Sequence, residues 1–257
     1  MPSIAFTDIY VISLDRRPDR TARFLQFNAS VGNIQRFPAI DGRQLNRQKL
    51  QTNGLMQVGL EDYTDGALGC AMSHRALWLK SIELGHPITI AEDDAVFHRT
   101  FCNKAESLSS KIGDDWDFIL WGWNFDSMLH AEIIPGVKRM LSYFDPYKML
   151  EGLATFQTIE FDNTLLPLHN ALGLPAYSIS PAGAQKLLAA CFPLKNFTLE
   201  IPGLDTAIPN VGIDVALNKF FAAINAYVCW PPLVVTDNET ESSDIQLTEQ
   251  LNLGEQQ

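Results

Sequence analysis

Short apolar runs alternate along this chain with longer amphipathic segments. The run at 9–14 predicts a buried strand, and Pro18 suits the first turn of a helix that extends to about Val31 and is stopped by Gly32. Further strands are expected at 34–37, 87–91, 117–123, 176–180 and 226–230, and further helices at 66–85, 181–191 and 213–224. This alternation predicts an α/β fold, with a twisted and mostly parallel sheet flanked by helices.

Two stretches lack such periodicity. Residues 42–66 are polar and irregular, and residues 124–170 are expected to form an insertion or loop region with one strand pair, because they contain several Pro and Gly residues. From Thr236 onward the chain holds six acidic and no basic side chains. We therefore predict a single domain over residues 1–235, followed by a loosely packed acidic tail over residues 236–257.

Composition and charge exclude several classes of protein. A chain that is 46% hydrophobic can bury a sizeable core, so it is not intrinsically disordered. The net charge of −11 argues against a nucleic-acid-binding protein. The charge is uneven, because residues 1–50 hold eight Lys or Arg against four Asp or Glu. The N-terminal segment is therefore the part of the chain suited to binding anions.

The cysteines and the chain start indicate a compartment. The four cysteines form no C-x-x-C pair, so zinc and redox motifs have no support; they are Cys70, Cys102, Cys191 and Cys229. The start has no signal-peptide pattern, and no apolar stretch has the length of a membrane span. We expect a cytosolic protein, with peripheral contact at the inner face of a bacterial membrane as an allowed variant.

The strand predicted at 87–91 runs directly into three acidic residues, Glu92, Asp93 and Asp94. Ligands of α/β folds gather at the carboxyl ends of strands. Adjacent carboxylates repel one another, and a hard divalent cation with oxygen ligands would offset that repulsion. The alternative is an acidic turn that faces water.

The first strand-to-helix turn is rich in arginine. Arg16 and Arg20 flank Pro18 at the predicted helix start, where a helix N-terminus and guanidinium groups suit a diphosphate. The chain contains neither G-x-G-x-x-G nor a P-loop motif, so dinucleotide and P-loop sites are unsupported. Solvated surface charge is the alternative.

Two helix starts offer further candidates. Small residues from Gly66 to Ala71 allow a ligand or another backbone to approach the helix that carries Ser73 and His74, although close packing alone also explains them. Asp214 opens the helix at 213–224, where it is either a carboxylate favoured by the helix dipole or a general base.

Taken in order, several of these stretches resemble the family 25 glycosyltransferases, which include bacterial lipooligosaccharide galactosyltransferases and collagen hydroxylysine galactosyltransferases. The resemblance covers most of the chain and is carried by residues 14–20, 37–42, 66–74, 90–94, 115–117 and 176–184, by Ile213-Asp214, and by Pro231-Pro-Leu with Ser242-Ser243. It implies a nucleotide-diphospho-sugar transferase fold of the GT-A type. It also places the acidic triplet where related enzymes bind metal through D-x-D.

The resemblance implies an inverting transfer of a hexose, with galactose as the first candidate, from a UDP-sugar to a saccharide or lipid-linked oligosaccharide in lipopolysaccharide synthesis. Asp94 and Glu92 are the predicted ligands of Mn²⁺ or Mg²⁺, and Asp214 is the predicted base. The remaining residues expected on the donor side are Asp15, Arg16, Arg20, Ser73, His74 and Asp93. The rival hypotheses are a non-catalytic module that binds a sugar nucleotide or a glycan, and a metal-dependent phosphohydrolase.

Overall fold

The computed structural model describes residues 6–124, 127–145, 151–153, 155–203 and 207–236. Of the predicted acidic tail, only Thr236 lies within these residues, so the prediction for 237–257 falls outside them. Within the described ranges, no helix combines the length and the apolar character that crossing a bilayer requires.

The main strands form one nine-stranded sheet in the order β2-β1-β3-β9-β5-β12-β8-β6-β7. The strands are β1 (Asp8–Ser13), β2 (Asn33–Pro38), β3 (Ile88–Glu92), β4 (Ala95–Phe97), β5 (Phe118–Gly122), β6 (Met128–Ile134), β7 (Lys138–Tyr143), β8 (Thr164–Ala171), β9 (Ala176–Ile179), β10 (Thr198–Leu199), β11 (Ile208–Pro209), β12 (Ala226–Trp230) and β13 (Val234–Thr236). Strand β4 pairs with β13, and β10 with β11, in two small antiparallel ribbons.

Helices cover both faces of this sheet. They are α1 (Pro18–Phe27), α2 (Arg47–Thr52), α3 (Asp65–Leu84), α4 (Phe101–Ile112), α5 (Pro181–Cys191) and α6 (Ile213–Asn218). Alternate residues of β1 point to opposite faces: Tyr10 and Ile12 belong to the core beneath α3 and α5, whereas Ile9 and Val11 belong to the core beneath α1 and α4. The predicted α/β fold is confirmed.

The sheet is mixed in direction. Strands β1, β2 and β3 are parallel, and so are β5 and β12, whereas β9 runs antiparallel to both of its neighbours, β3 and β5. Residues 124–170 contain the expected strand pair, β6 and β7, but they are no separate insertion. Strand β8 from the same stretch pairs with both β6 and β12, so the stretch extends the central sheet.

Two helices end earlier than the sequence predicts, each at an asparagine that bonds to a strand. Asn28 stops α1, because its side chain donates to Phe24 O and to Ala95 O at 2.9 Å each. Asn218 ends α6, because its side chain exchanges hydrogen bonds with the backbone of Ala171 in β8. These tertiary bonds outweigh the helical periodicity of the following residues.

Candidate active site

The carboxyl ends of β1, β2 and β3 lie side by side at one edge of the sheet. Because the three strands are parallel, Ile12 pairs with Glu92 and Ser13 with Pro38, and the loops that follow leave the sheet together. The predicted arginine-rich turn and the acidic triplet, which are far apart in sequence, therefore meet at this edge.

Arg20 joins these two segments. Its guanidinium lies 2.6 Å from Asp93 Oδ1 and 3.6 Å from Asp94 Oδ2, and its Nε donates to Asp93 Oδ1 at 2.7 Å. The arginine side chain is only 20% exposed. The carboxylates raise the already high pKa of Arg20 although its burial acts against them, so the guanidinium stays charged.

The other two predicted residues of the first turn lie at the same edge with different partners. Arg16 Nε lies 3.5 Å from Asp41 in the loop after β2. Asp15 forms an ion pair with Arg36 of β2, whose guanidinium also donates to Ser13 O at 3.0 Å. The structure thus places Asp15 beside β2, whereas Arg20 is the residue that reaches the acidic triplet.

Behind the acidic triplet, α3 presents a buried histidine. His74 is completely buried, and its Nδ1 lies 2.8 Å from the Tyr177 hydroxyl, which also accepts a hydrogen bond from Trp78 Nε1 at 2.7 Å. The Tyr177 hydroxyl therefore links the Trp78 indole to the His74 ring and fixes the ring's position in the core. His74 Nε2 lies 3.5 Å from Glu92 Oε1 and makes no hydrogen bond within the described residues, so the two groups are neighbours inside a largely buried site.

Glu92 and His74 are both neutral near pH 7, so their contact is no ion pair. Burial lowers the pKa of His74 to about 4. Burial, together with the negative charges of Asp214 and Asp93, raises the pKa of Glu92 to about 8 against the opposing effect of Arg20. Within the acidic triplet, Arg20 thus faces two carboxylates, Asp93 and Asp94, beside a neutral Glu92.

Asp214 completes the cluster from a distant part of the chain. It lies in the first turn of α6, and its Oδ2 accepts a hydrogen bond from Gly173 N at 3.0 Å, in the loop before β9. Gly212 is the residue before α6 and provides no side-chain cap. A Cβ at Gly212 would lie 2.5 Å from Asp214 Oδ1, so a glycine there leaves room for the carboxylate.

Ser73, like His74, lies in the protein core. Its hydroxyl donates to Gly69 O at 2.7 Å and accepts from Ile40 N at 2.9 Å, and the side chain is completely buried. A Cβ at Gly69 would lie 2.4 Å from Ile40 O, which shows how closely α3 approaches this loop. Ser73 therefore fixes the helix that carries His74.

Sequence reasoning missed Tyr177, which contacts His74, and Trp78, which contacts Tyr177. It assigned no site role to Cys70, which lies one helical turn before His74, because no acid could be placed beside it to help a thiol nucleophile. The sulfur of Cys70, a ring nitrogen of His74 and a carboxylate oxygen of Glu92 lie within 4.8 Å of one another. The four-residue spacing of Cys70 and His74 on one helix was the available signal.

The acidic triplet fits a hard divalent cation by its chemistry. Carboxylate oxygens are the ligands that Mg²⁺ and Mn²⁺ prefer, and after burial the negative charges of Asp214 and Asp93 are the next causes of the raised pKa of Glu92. The cysteine, histidine and glutamate set would instead suit a softer ion such as Zn²⁺. Either ion would require Glu92 to lose its proton, and Asp94 and Glu92 stay the predicted ligands because oxygen ligands suit Mg²⁺ and Mn²⁺.

Glu92→Gln is expected to remove a pH dependence of folding stability. The raised pKa means that the folded chain retains a proton that the unfolded chain releases above the ordinary value of 4.5. The stabilisation is fully present below about 4.5 and is lost as the pH rises through about 8, so the free energy of unfolding of the wild type falls over that range. Thermal unfolding of both proteins in a chelating buffer measures this slope. Parallel curves of melting temperature against pH would contradict it.

Comparison of the whole chain with protein families gives one match over most of its length. The family model described as "Glycosyltransferase family 25 (LPS biosynthesis protein)" matches residues 6–201. The matched range contains the acidic triplet, Arg20 and His74, and it ends before Asp214.

Curated relatives carry related descriptions. A "Probable inactive glycosyltransferase 25 family member 3" of Bos taurus is 28% identical over 199 residues, 73% of this chain and 29% of that protein. A "Glycosyltransferase 25 family member" of Aedes aegypti is 33% identical over 126 residues, 44% of this chain and 21% of that protein. "Procollagen galactosyltransferase 2" of Homo sapiens is 28% identical over 201 residues, 73% of this chain and 28% of that protein. The chain thus spans less than a third of the length of these relatives.

Proposed function

Because the chain belongs to glycosyltransferase family 25, we propose that it transfers a hexose, with galactose as the first candidate, from a UDP-sugar to a hydroxyl of a saccharide acceptor. The observation that carries the proposal is the position of Asp214. A carboxylate remote in sequence lies near enough to Glu92 to raise its pKa, at the sheet edge where Arg20 provides positive charge. A site with an anion-binding side and a separate carboxylate suits group transfer between two substrates.

On the donor side, Arg20 is the residue proposed to contact the diphosphate of the sugar nucleotide. Its guanidinium is partly buried and anchored on Asp93, which fixes its direction and lowers the entropy lost on binding. Arg16 and Asp15 border the same edge and His74 lies 3.5 Å from Glu92, so we assign these residues to the donor side as well. Ser73 supports it from within the core.

The proposed metal ligands are Asp94 and Glu92. A bound Mn²⁺ or Mg²⁺ ion would supply positive charge to the departing diphosphate and so act as a Lewis acid. Arg20 provides part of the same charge through the protein itself. Glu92 loses its proton more readily when a cation lies beside it, because the attraction offsets the repulsion from Asp93 and Asp214.

On the acceptor side, Asp214 is the proposed general base. It takes the proton of the acceptor hydroxyl while the acceptor oxygen forms a bond to the anomeric carbon and the bond from that carbon to the diphosphate oxygen breaks. The displacement inverts the anomeric configuration and releases UDP. The Gly173 amide holds one carboxylate oxygen of Asp214, which orients the group without protonating it.

The family description suggests the biological setting. We infer that the acceptor is a growing lipopolysaccharide or lipooligosaccharide chain, lipid-linked at the cytosolic face of a bacterial inner membrane. The chain's negative charge agrees with a partner other than nucleic acid.

A non-catalytic member that binds a sugar nucleotide is the second candidate, because the similar protein of Bos taurus is described as inactive. The acids at Glu92, Asp94 and Asp214 favour a working transferase. A panel of nucleotide sugars tests both hypotheses, since slow hydrolysis of the true donor needs no acceptor. Metal-dependent release of UDP from one donor supports the transferase. Tight donor binding without release of UDP, even with acceptors present, would favour the binding module.

Arg20→Ala is expected to weaken UDP binding by about tenfold or more, because charge-assisted hydrogen bonds of this kind contribute roughly 1.5–3 kcal/mol. Isothermal titration calorimetry with UDP measures the affinity. Arg17→Ala is the matched control, since Arg17 pairs with the exposed Asp19 at 3.0 Å in the same turn. If both variants bind UDP with the affinity of the wild type, Arg20 does not contact the diphosphate and serves only as a partner of Asp93.

A further inference from the structure

The turn between β6 and β7 exposes a continuous apolar run. Residues 133–137 read Ile-Ile-Pro-Gly-Val, and every one of them is exposed. Ile133 is 43%, Ile134 50% and Val137 79% accessible to solvent. Scattered exposed apolar residues are ordinary, but adjacent ones in one tight turn form a patch that calls for a partner.

Hydrogen bonds hold this turn in a fixed shape. Val137 N donates to Ile134 O at 2.9 Å, and Gly136, at φ 72°, donates its N–H to a carboxylate oxygen of Glu132 at 2.8 Å. Glu132 is itself bound by His169 at 2.9 Å and by Arg139 at 3.3 Å. The apolar side chains are therefore held outward by the turn and do not fold back onto the sheet.

The turn lies at the outer edge of the protein and carries basic residues. Strand β7 is the last strand of the sheet, so the β6–β7 hairpin has no neighbour on that side among the described strands. Lys138 and Arg139 follow Val137 directly, and both are exposed. The chain has a net charge of −11, but in this turn exposed apolar side chains and exposed basic side chains are neighbours.

We propose that the tip of the β6–β7 hairpin, residues 133–138, inserts into the surface of an anionic phospholipid bilayer. Ile133, Ile134 and Val137 would enter the boundary between headgroups and acyl chains, while Lys138 contacts the anionic headgroups. A self-interface fits the tip less well, because a stable dimer needs roughly 800 Å² from each partner and a single narrow turn provides far less.

The proposal does not rest on the proposed function, because lipid binding is measured without any transfer reaction. The chain as a whole is negatively charged and is repelled by an anionic bilayer, so only the tip is expected to touch the membrane.

Vesicle sedimentation of the full chain tests the proposal. Vesicles of equal parts phosphatidylglycerol and phosphatidylcholine are expected to bind the wild type, and vesicles of phosphatidylcholine alone to bind it more weakly. Ile134→Ser combined with Val137→Ser should lower the partition coefficient by about tenfold or more, given the area of apolar surface that these side chains bury on insertion. Lys138→Gln should reduce binding to the anionic vesicles only.

The matched control is Val58→Ser, because Val58 is also 79% exposed but lies elsewhere in the chain. It should bind vesicles as the wild type does. Absent binding of the wild type to the anionic vesicles, or a Val58→Ser loss equal to that of the double variant, would overturn the proposal. A third result would also overturn it: no binding to vesicles, together with a dimer in sedimentation velocity that the tip substitutions dissociate. The tip would then be a self-interface.

Discussion

Asp214→Asn is expected to lower the rate of sugar transfer by roughly a hundredfold or more while leaving donor affinity unchanged, because general-base assistance is worth about 10²–10⁴ in rate. The amide oxygen of asparagine can still accept the hydrogen bond from Gly173 N, so the local structure is retained. Single-turnover transfer with saturating donor and acceptor measures the rate, and calorimetry with UDP measures the binding. A variant that keeps most of its transfer rate would remove Asp214 from the mechanism.

A neighbouring glycine provides an independent test of the same carboxylate. Gly212→Ala introduces a Cβ that would lie 2.5 Å from Asp214 Oδ1, so the side chain must turn away. Because Asp214 Oδ1 is at the end of a flexible side chain, the melting temperature should change little while the transfer rate falls. Gly152→Ala is the control, since a Cβ there meets nothing within 4 Å.

The Asp214→Asn variant should also lower the pKa of Glu92, because the charge of Asp214 is one cause of its elevation.

The meeting of the arginine turn with the acidic triplet could be predicted from the sequence, and the reason is geometric. Both segments follow apolar runs that form parallel strands, and parallel strands end at a common edge. The sequence could not specify that Arg20, among the arginines of the turn, is the one that reaches Asp93. That choice depends on the direction in which α1 leaves the sheet, which composition does not encode.

Other parts of the site depend on contacts between distant segments. The charge effect of Asp214 on Glu92 follows from α6 packing beside the loop before β9, and the burial of His74 follows from Tyr177 on β9. Strand β8 was not predicted because its sequence has no clear alternation of apolar and polar residues. Its extended conformation depends on pairing with β6 and β12, which the sequence does not reveal. Local pattern thus identified the strands buried on both faces, the outer strand β2 and one strand pair within 124–170, but it missed β8 between them.

The similarity to relatives described as inactive makes the acidic triplet the decisive region. A protein that only binds a sugar nucleotide has no need of a metal-dependent loss of the diphosphate, whereas a transferase does. Variants of the triplet therefore separate the two functions more sharply than donor binding alone.

Asp94→Asn is expected to reduce metal-dependent transfer and donor hydrolysis by about a hundredfold or more, because Lewis-acid stabilisation of a leaving group is worth several kcal/mol. Folding should be retained, since Arg20 keeps its closer partner, Asp93, at 2.6 Å. Added Mn²⁺ with UDP should raise the melting temperature of the wild type, because a ligand that binds the folded state stabilises it. The shift should be much smaller for the variant, which binds the metal more weakly. The melting temperature reports metal binding without depending on turnover.

Asp114→Asn is the control for this variant, because it also converts an aspartate to its amide but at an exposed position away from the sheet edge. Its activity and its Mn²⁺-dependent melting shift should equal those of the wild type.

If Asp94→Asn shows the full melting shift, Asp94 is not a metal ligand. If it instead loses the shift but keeps its turnover, the metal serves stability and Arg20 alone must stabilise the departing diphosphate. Zn²⁺ replacing Mn²⁺ in the same melting experiment, with Cys70→Ser as a further variant, then shows whether the cysteine, histidine and glutamate set is the site that binds the ion.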